Sequence, residues 1–170
     1  MRNYLLKELK TKIEKWDTSD IYVISLFVYD EDDNPNQPTV TLGFNTLSNY
    51  EESIDVAWDE EEAKWNFAFW LQNEEYVFGV DETRPIVEKW IEDNNYIDED
   101  DDMIVTNAFV KELVDIVKEL HQSGFIKEKF GKEIPIIIHE LEYYEEIANQ
   151  NIEANGYELV EEFVNFCNGF

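Results

Sequence analysis

The chain contains few of the residues that build metal and cofactor sites. It has one cysteine, Cys167, and two histidines, His121 and His139, among its 170 residues. A single cysteine cannot form an internal disulfide, and these three residues do not have the spacing of a structural zinc motif. The six glycines are scattered, and neither the G-x-G-x-x-G nor the G-x-x-x-x-G-K-[ST] pattern of phosphate-binding loops occurs. We therefore expect no cofactor and no bound metal.

Basic residues are also scarce. The sequence has 13 Lys and Arg against 40 Asp and Glu, which gives a formal net charge of −27. Contact with nucleic-acid backbones or anionic membranes requires Lys or Arg to replace counterions, so neither is an expected partner. A basic protein would be attracted and steered by this charge. An organism with generally acidic proteins is the alternative explanation of the charge.

Long apolar runs are absent as well. No segment approaches the roughly 20 apolar residues that span a bilayer, and the first 15 residues are charged and lack the apolar region of a secretory signal. Together with the single cysteine, this predicts a cytoplasmic protein.

What the chain does contain is ample material for a folded core. Hydrophobic residues make up 44% of it and aromatic residues 15%, whereas disordered acidic chains lack both aromatic and branched apolar side chains. A chain of this length normally forms one domain, so we expect a single α+β domain over residues 1–170.

Apolar periodicity predicts a sheet of about four strands, mainly antiparallel, covered by about six helices. The predicted strands are 21–29, 39–44, 76–80 and 134–138. The helical patterns cover 5–16, 60–71, 85–91, 106–123, 141–152 and 157–167, and 48–54 is a further candidate for a short helix. The pattern over 60–71 also fits a strand, and we favour a helix there. Thr106 is the predicted N-cap of the clearest helix, and Ser123-Gly124 is its predicted end.

One segment imitates a calcium-binding loop. Asp30, Asp32 and Asn34 have the spacing of the first EF-hand ligands, but the sixth position is Pro35 rather than Gly and the twelfth is Thr41 rather than Glu. The sharp turn and the bidentate ligand are therefore missing, and a solvated hairpin turn is expected.

A second segment begins like the helix of a zinc protease. His139-Glu140 would need a second histidine where the chain has Tyr143. Because the sequence indicates no Ser or Cys nucleophile beside it, His139 is expected to be a hydrogen-bonded structural residue. Acid–base catalysis by a pair of carboxylates is an alternative that the sequence leaves open, because 40 acidic residues allow many pairs and the sequence selects none.

Two stretches are candidates for binding a basic partner. Aromatic anchors with an acidic rim are typical of protein interfaces, although most of these rings are expected to fill the core. A run of like charges is more often a solvated segment than a docking site. The candidate residues are Trp58, Asp59, Glu60, Glu61, Glu62, Trp65, Trp70, Asp98, Glu99, Asp100, Asp101 and Asp102.

Two other stretches resemble a known family. AKWNFAFWLQN at 63–73 and FGKEIPIIIHELEYY at 130–144 are similar to a bacterial domain-of-unknown-function family (number 4303) whose members have about this length. That family has no established activity, so the resemblance implies no catalytic residues. Small acidic proteins of this kind resemble immunity proteins of polymorphic toxin or contact-dependent inhibition systems. The family-like positions are Trp65, Asn66, Trp70, His139, Glu140 and Tyr143.

These observations favour a non-catalytic acidic binding protein. The leading hypothesis is an immunity protein that neutralises a basic toxin domain, such as a nuclease, by covering its nucleic-acid-binding surface. The alternatives are a hydrolase that uses a carboxylate pair or His139, and an acidic adaptor or nucleic-acid mimic. The sequence does not give the oligomeric state.

Overall fold

A long β-hairpin forms the centre of the molecule. In a computed structural model, which describes residues 1–16, 20–96 and 103–169, strand β1 (Ile21–Asp30) pairs antiparallel with β2 (Pro38–Thr46). Nearly every residue of both strands is buried or half-buried, as the apolar runs predict for strands covered on both faces.

Two short strands complete the four-stranded sheet, whose order is β3-β2-β1-β4. Strand β3 (Tyr76–Phe78) pairs antiparallel with β2. Strand β4 (Ile136–His139) pairs parallel with β1, so that Phe27 is the register partner of His139. The predicted α+β fold with a mainly antiparallel sheet is confirmed. The parallel pairing places the carboxyl ends of β1 and β4 side by side.

The described residues form eight α-helices, more than the six or so expected from the sequence. They are α1 (Arg2–Ile13), α2 (Leu47–Ser53), α3 (Glu60–Trp65), α4 (Arg84–Asn94), α5 (Ile104–Gln122), α6 (Phe125–Phe130), α7 (Glu145–Asn155) and α8 (Tyr157–Cys167). None of the helices in these described ranges has the length and apolar character of a bilayer-spanning segment.

The helices cover both faces of the sheet. Side chains of Ile24 and Leu26 pack with residues of α1, α4 and α5 in one apolar cluster. Val23 and Ile137 belong to a second cluster, built with α3, α7 and α8. The alternation of side chains along each strand therefore gives the domain two cores, one on each side of the sheet.

The helix predicted over 60–71 is shorter than expected. It ends at Trp65 because the side chain of Asn66 accepts a hydrogen bond from the N–H of Ala68 at 2.9 Å. This bond caps a separate 3-10 helix at Phe67–Phe69, since asparagine offers the backbone an alternative to continued helix.

The predicted N-cap at Thr106 is wrong. Helix α5 begins two residues earlier, at Ile104, and the Thr106 hydroxyl donates instead to the Asp30 carboxylate, at 2.9 Å to Oδ1. The predicted C-terminus is confirmed, because Ser123 caps α5 and Gly124 has a left-handed φ of 74°. Gly124 is also the N-cap of α6, a helix that the sequence pattern did not indicate.

Candidate functional site

Trp58 stands at the surface just before α3. Its side chain is 92% exposed, whereas the other four tryptophans are at most 8% exposed. The Asp59 carboxylate caps α3 by accepting from the N–H of Glu62 at 2.8 Å. The Glu62 carboxylate accepts from the N–H of Trp58 at 2.7 Å. These reciprocal bonds resemble a capping box, and they fix the backbone that carries Trp58.

The surface around Trp58 is acidic with an apolar floor. We call it the Trp58 patch, and its residues are Trp58, Asp59, Glu61, Glu62 and Phe166, which surround a shallow depression of about 210 Å³. The end of α8 supplies Phe166, so the patch lies where α3 meets α8. It provides one fully available aromatic ring among three carboxylates.

Lysine and arginine are rare around this patch in sequence, and Lys64 is the nearest of them. No Lys or Arg occurs between Lys15 and Lys64, and none occurs after Lys132. Lys64, which is on α3 itself, forms an ion pair with Glu162 of α8. The negative potential of the patch is therefore little compensated by its own surroundings.

Trp65 and Trp70 lie in the core instead of on this surface. Trp65 is 5% exposed and packs edge-on against Tyr22 and Phe163. Trp70 is 4% exposed, and its indole N–H donates to the carbonyl of Lys64 at 2.9 Å. Of the three tryptophans in the aromatic tract, only Trp58 is available to a partner, as expected if most of the rings fill the core.

His139 is fully buried at the end of β4. Its Nδ1 faces the carbonyl of Glu140 at 3.0 Å, so Nδ1 carries the proton. Its Nε2 then accepts from the hydroxyl of Ser25, at 2.8 Å. Burial lowers the pKa of His139 to about 4, which keeps the imidazole neutral. Ser25 is 3% exposed, so this serine–histidine pair is closed to a substrate.

The family-like stretches pack against each other. The rings of Phe67 and Trp70 lie 4.7 and 5.4 Å from the His139 ring, and the hydroxyl of Tyr143 accepts from the N–H of Phe67 at 2.9 Å. Trp65 belongs to the same apolar cluster. These positions therefore support the fold, and the exception is Glu140, which faces a surface cleft.

That cleft lies at the carboxyl ends of the parallel strands. Asp30 is the last residue of β1, and Glu140 directly follows β4. Both line an open cleft of about 350 Å³ whose walls include Tyr29, Leu141 and Tyr144. We call it the Asp30–Glu140 cleft. The carboxyl ends of adjacent parallel strands are a common position for ligand sites in α/β sheets.

Both carboxyl groups of the cleft are desolvated. Burial raises the pKa of Asp30, and the hydroxyl of Thr106 opposes this by donating to the carboxylate. Burial also raises the pKa of Glu140, a hydrogen bond from Tyr144 lowers it, and the charge of Asp30 raises it further. In the described part of the chain, no lysine or arginine forms an ion pair with either group. The pair is therefore an uncompensated negative site.

Sequence reasoning singled out Asp30 and Glu140 separately and did not bring them together. The signal that could have found the cleft is that each acid directly follows an apolar strand pattern. The missing information was the parallel pairing of β1 with β4, which also brings Ser25 to His139. The acidic run at Asp98–Asp102 lies outside the described residues.

No metal centre accompanies these sites in the ranges that the structure describes, where no three His, Cys, Asp or Glu side chains are grouped to hold an ion.

The comparisons give no relative, since no family model, no curated protein and no solved structure matches the chain. The resemblance to the uncharacterised bacterial family stays a prediction.

Proposed function

We propose that the chain is a non-catalytic binding protein that neutralises a basic partner protein, in the manner of an immunity protein. The partner would be a toxin domain, such as a nuclease, of a polymorphic toxin or contact-dependent inhibition system. The observation that carries the proposal is the exposure of Trp58, 92%, among carboxylates that hydrogen bonds hold in place.

A tryptophan in this position suits an interface better than a monomer surface. Tryptophan buries a large area when it is covered, and it is enriched among the residues that dominate binding free energies. Asp59 and Glu62 are engaged in capping α3, so the backbone under Trp58 is ordered before a partner arrives. A preorganised anchor loses less conformational entropy on binding.

The acidic surroundings supply the second part of the mechanism. The net charge of −27 attracts a basic partner over distances that salt limits to about 10 Å at 0.1 M. Carboxylates around Trp58 would occupy the surface with which a nuclease holds nucleic-acid phosphates, and the indole would fill an apolar site between them. The resemblance to small acidic immunity proteins supports the same interpretation.

The test is capture of partners from the native organism with the tagged full chain at low and then moderate salt. We expect one basic protein to stay bound at moderate salt. The Trp58→Ser variant should lose it, and the Val56→Ser variant should retain it because Val56 is 74% exposed but does not line the patch. Capture that is equal for both variants, or that vanishes at moderate salt, would contradict the proposal.

Carboxylate acid–base chemistry is the second candidate function, and the Asp30–Glu140 pair is the observation that favours it. Such chemistry needs one protonated and one ionised group, which enzymes obtain when the surroundings push two pKa values apart. Here burial raises the pKa of both groups, and the charge of Asp30 raises that of Glu140 further; we place binding first because the exposed Trp58 supports it. Hydrolysis of a glycoside or ester panel by the purified chain, abolished in Glu140→Gln, would reverse this preference.

A further inference from the structure

Four of the ten exposed large apolar residues in the described part of the chain line the Asp30–Glu140 cleft. Tyr29, Met103, Leu141 and Tyr144 all line it, and they are 37%, 43%, 75% and 40% exposed. They come from β1, from the start of α5 and from the segment between β4 and α7. Exposed apolar side chains that meet at one cleft indicate an interaction site, whereas single ones do not.

The floor of this apolar rim is charged. The Asp30 carboxylate accepts from the hydroxyl of Thr106, and the hydroxyl of Tyr144 lowers the pKa of Glu140 against the effect of burial. Neither hydroxyl brings a positive charge, so the two carboxylates repel each other and would gain from a cation placed between them. An anionic ligand in this position would be repelled by both carboxylates.

We infer that the Asp30–Glu140 cleft is a docking site for an arginine side chain of the partner protein. The inference rests on the proposed function for the class of partner, a basic protein, and it adds a second contact distinct from the Trp58 patch. A guanidinium group can donate to both carboxylates at once and stack on the rings of Tyr29 and Tyr144. Its alkyl stem fits the apolar rim that Leu141 and Met103 provide.

Arginine fits this cleft better than lysine or a metal ion does. A lysine ammonium is a compact and strongly hydrated charge, which gains little from aromatic walls and costs more to desolvate. Calcium requires six to eight oxygen ligands, and in the described part of the chain no third His, Cys, Asp or Glu side chain joins the two carboxylates to hold an ion. The Asp30 carboxylate already accepts from the neutral hydroxyl of Thr106.

The test does not depend on identifying the partner. The full ¹⁵N-labelled chain is titrated with butylguanidinium, with butylammonium and with butylurea, which is the neutral isostere of butylguanidinium. We expect butylguanidinium to shift the backbone amides of residues 27–30 and 140–144 and to bind more tightly than butylammonium. Butylurea should leave these amides unshifted. The inference is overturned if butylurea acts like butylguanidinium, or if the shifts lie elsewhere.

Variants distinguish binding of the probe in the cleft from nonspecific attraction of the probe to an acidic protein. Asp30→Asn with Glu140→Gln should weaken butylguanidinium binding about tenfold, the equivalent of one partly buried charge pair. Glu60→Gln with Glu61→Gln removes two exposed charges on α3 and should leave the affinity unchanged. Equal weakening by the two changes would mean that only the net charge attracts the probe, and the docking site would be lost.

The two proposals fail in different ways. If the captured partner is lost with Trp58→Ser but binds the Asp30→Asn, Glu140→Gln variant with undiminished affinity, the docking inference is wrong and the proposed function stands. If no basic partner is captured while butylguanidinium occupies the cleft, the proposed function fails. The cleft would then bind a free guanidinium compound, which contradicts docking of a protein arginine.

Discussion

The side-chain amide of Asn151 pairs with the backbone of Ile138 as a neighbouring β-strand would. Its oxygen accepts from the Ile138 N–H at 2.8 Å, and its nitrogen donates to the Ile138 carbonyl at 2.7 Å. One helical turn later, Asn155 forms the same two bonds with Ile136, at 2.8 and 2.9 Å. Helix α7 thereby closes the free edge of β4, which would otherwise be a site for pairing with another chain.

Replacing Asn151 should therefore destabilise the fold. Asn151→Leu keeps a similar volume but leaves the Ile138 N–H without its acceptor, while the Ile138 carbonyl still accepts from Gln150 at 3.0 Å. An orphaned buried donor together with the lost bonds should lower the free energy of unfolding by about 2–3 kcal/mol. Urea unfolding followed by far-UV circular dichroism measures this change.

The matched control is Asn165→Leu on α8, where the residue is exposed. It should change the free energy of unfolding by less than about 0.5 kcal/mol. If Asn151→Leu is as mild as the control, the amide ladder does not stabilise the edge of β4. An edge that is open in Asn151→Leu should also promote association, which light scattering of the folded variant detects.

Protonation of His139 should destabilise the protein in acid. Its folded pKa of about 4 lies below the unfolded value of 6.5, so the unfolded state binds more protons between these two values. Stability is therefore complete above pH 6.5 and is lost as the pH falls towards 4. The loss amounts to about 3 kcal/mol for this one residue.

The measurement compares the wild type with His139→Gln, which does not titrate. The free energy of unfolding of the wild type should fall by about 3 kcal/mol more than that of the variant between pH 7 and pH 4. The difference between the two proteins is the informative quantity, because acid also relieves the self-repulsion of the −27 charge. Parallel pH profiles would show that His139 is not held neutral. If His139→Gln does not fold, Ser25→Ala tests the same pocket, because it removes the hydroxyl that donates to Nε2 of His139.

The sequence predicts most of the fold because its strongest signals are local. Apolar periodicity located the β1–β2 hairpin, the first helix and α5, each of which packs one continuous stripe or strand against the sheet. It missed α6, because Phe125–Phe130 is short and its boundaries depend on Gly124 and on Gly131, both with left-handed φ. It also overextended α3, where a side-chain bond from Asn66 decides the end.

The candidate sites were predictable only where they are local. Trp58 and its acidic neighbours are adjacent in sequence, so the sequence offered them as a candidate surface, although it did not distinguish Trp58 from Trp65 and Trp70 and did not indicate Phe166. The Asp30–Glu140 cleft requires the end of β1 and the residue after β4 to lie at the same edge of the sheet, and no local pattern encodes that parallel pairing. Burial of Trp65 and Trp70 is likewise a tertiary property, since their neighbours in sequence resemble those of Trp58.

Fluorescence quenching should detect the Trp58 patch without any partner. Trp58 alone among the five tryptophans is exposed, so acrylamide should quench one accessible component, and Trp58→Phe should remove it. At matched ionic strength, each quenching constant is divided by that of the neutral compound N-acetyltryptophanamide. The normalised constant should be at least about twice as large for caesium as for iodide, because the carboxylates of the patch attract cations. Equal normalised constants would show that the patch has no negative potential.

Removing either charge in the cleft should stabilise the protein at neutral pH. Burial raises the folded pKa of Asp30 and of Glu140 above their unfolded values. The folded state therefore binds more protons, and stability falls as the pH rises through the folded pKa values. Asp30→Asn and Glu140→Gln each remove one ionisable group and with it this pH-dependent loss of stability. Each should raise the free energy of unfolding at pH 7 by up to about 1 kcal/mol, a limit that solvent screening in the open cleft imposes.

The gain should depend on pH in a defined way. Below pH 3.8 for Asp30 and 4.5 for Glu140, the unfolded values, the wild-type carboxyls are protonated in both states, so variant and wild type should converge there. Glu61→Gln, which is exposed on α3, is the control and should change stability by less than about 0.5 kcal/mol at either pH. Destabilisation by Glu140→Gln at pH 7 would mean that the ionised form supports the fold. A gain in stability together with weaker butylguanidinium binding is the result expected when residues are kept for binding at the expense of stability.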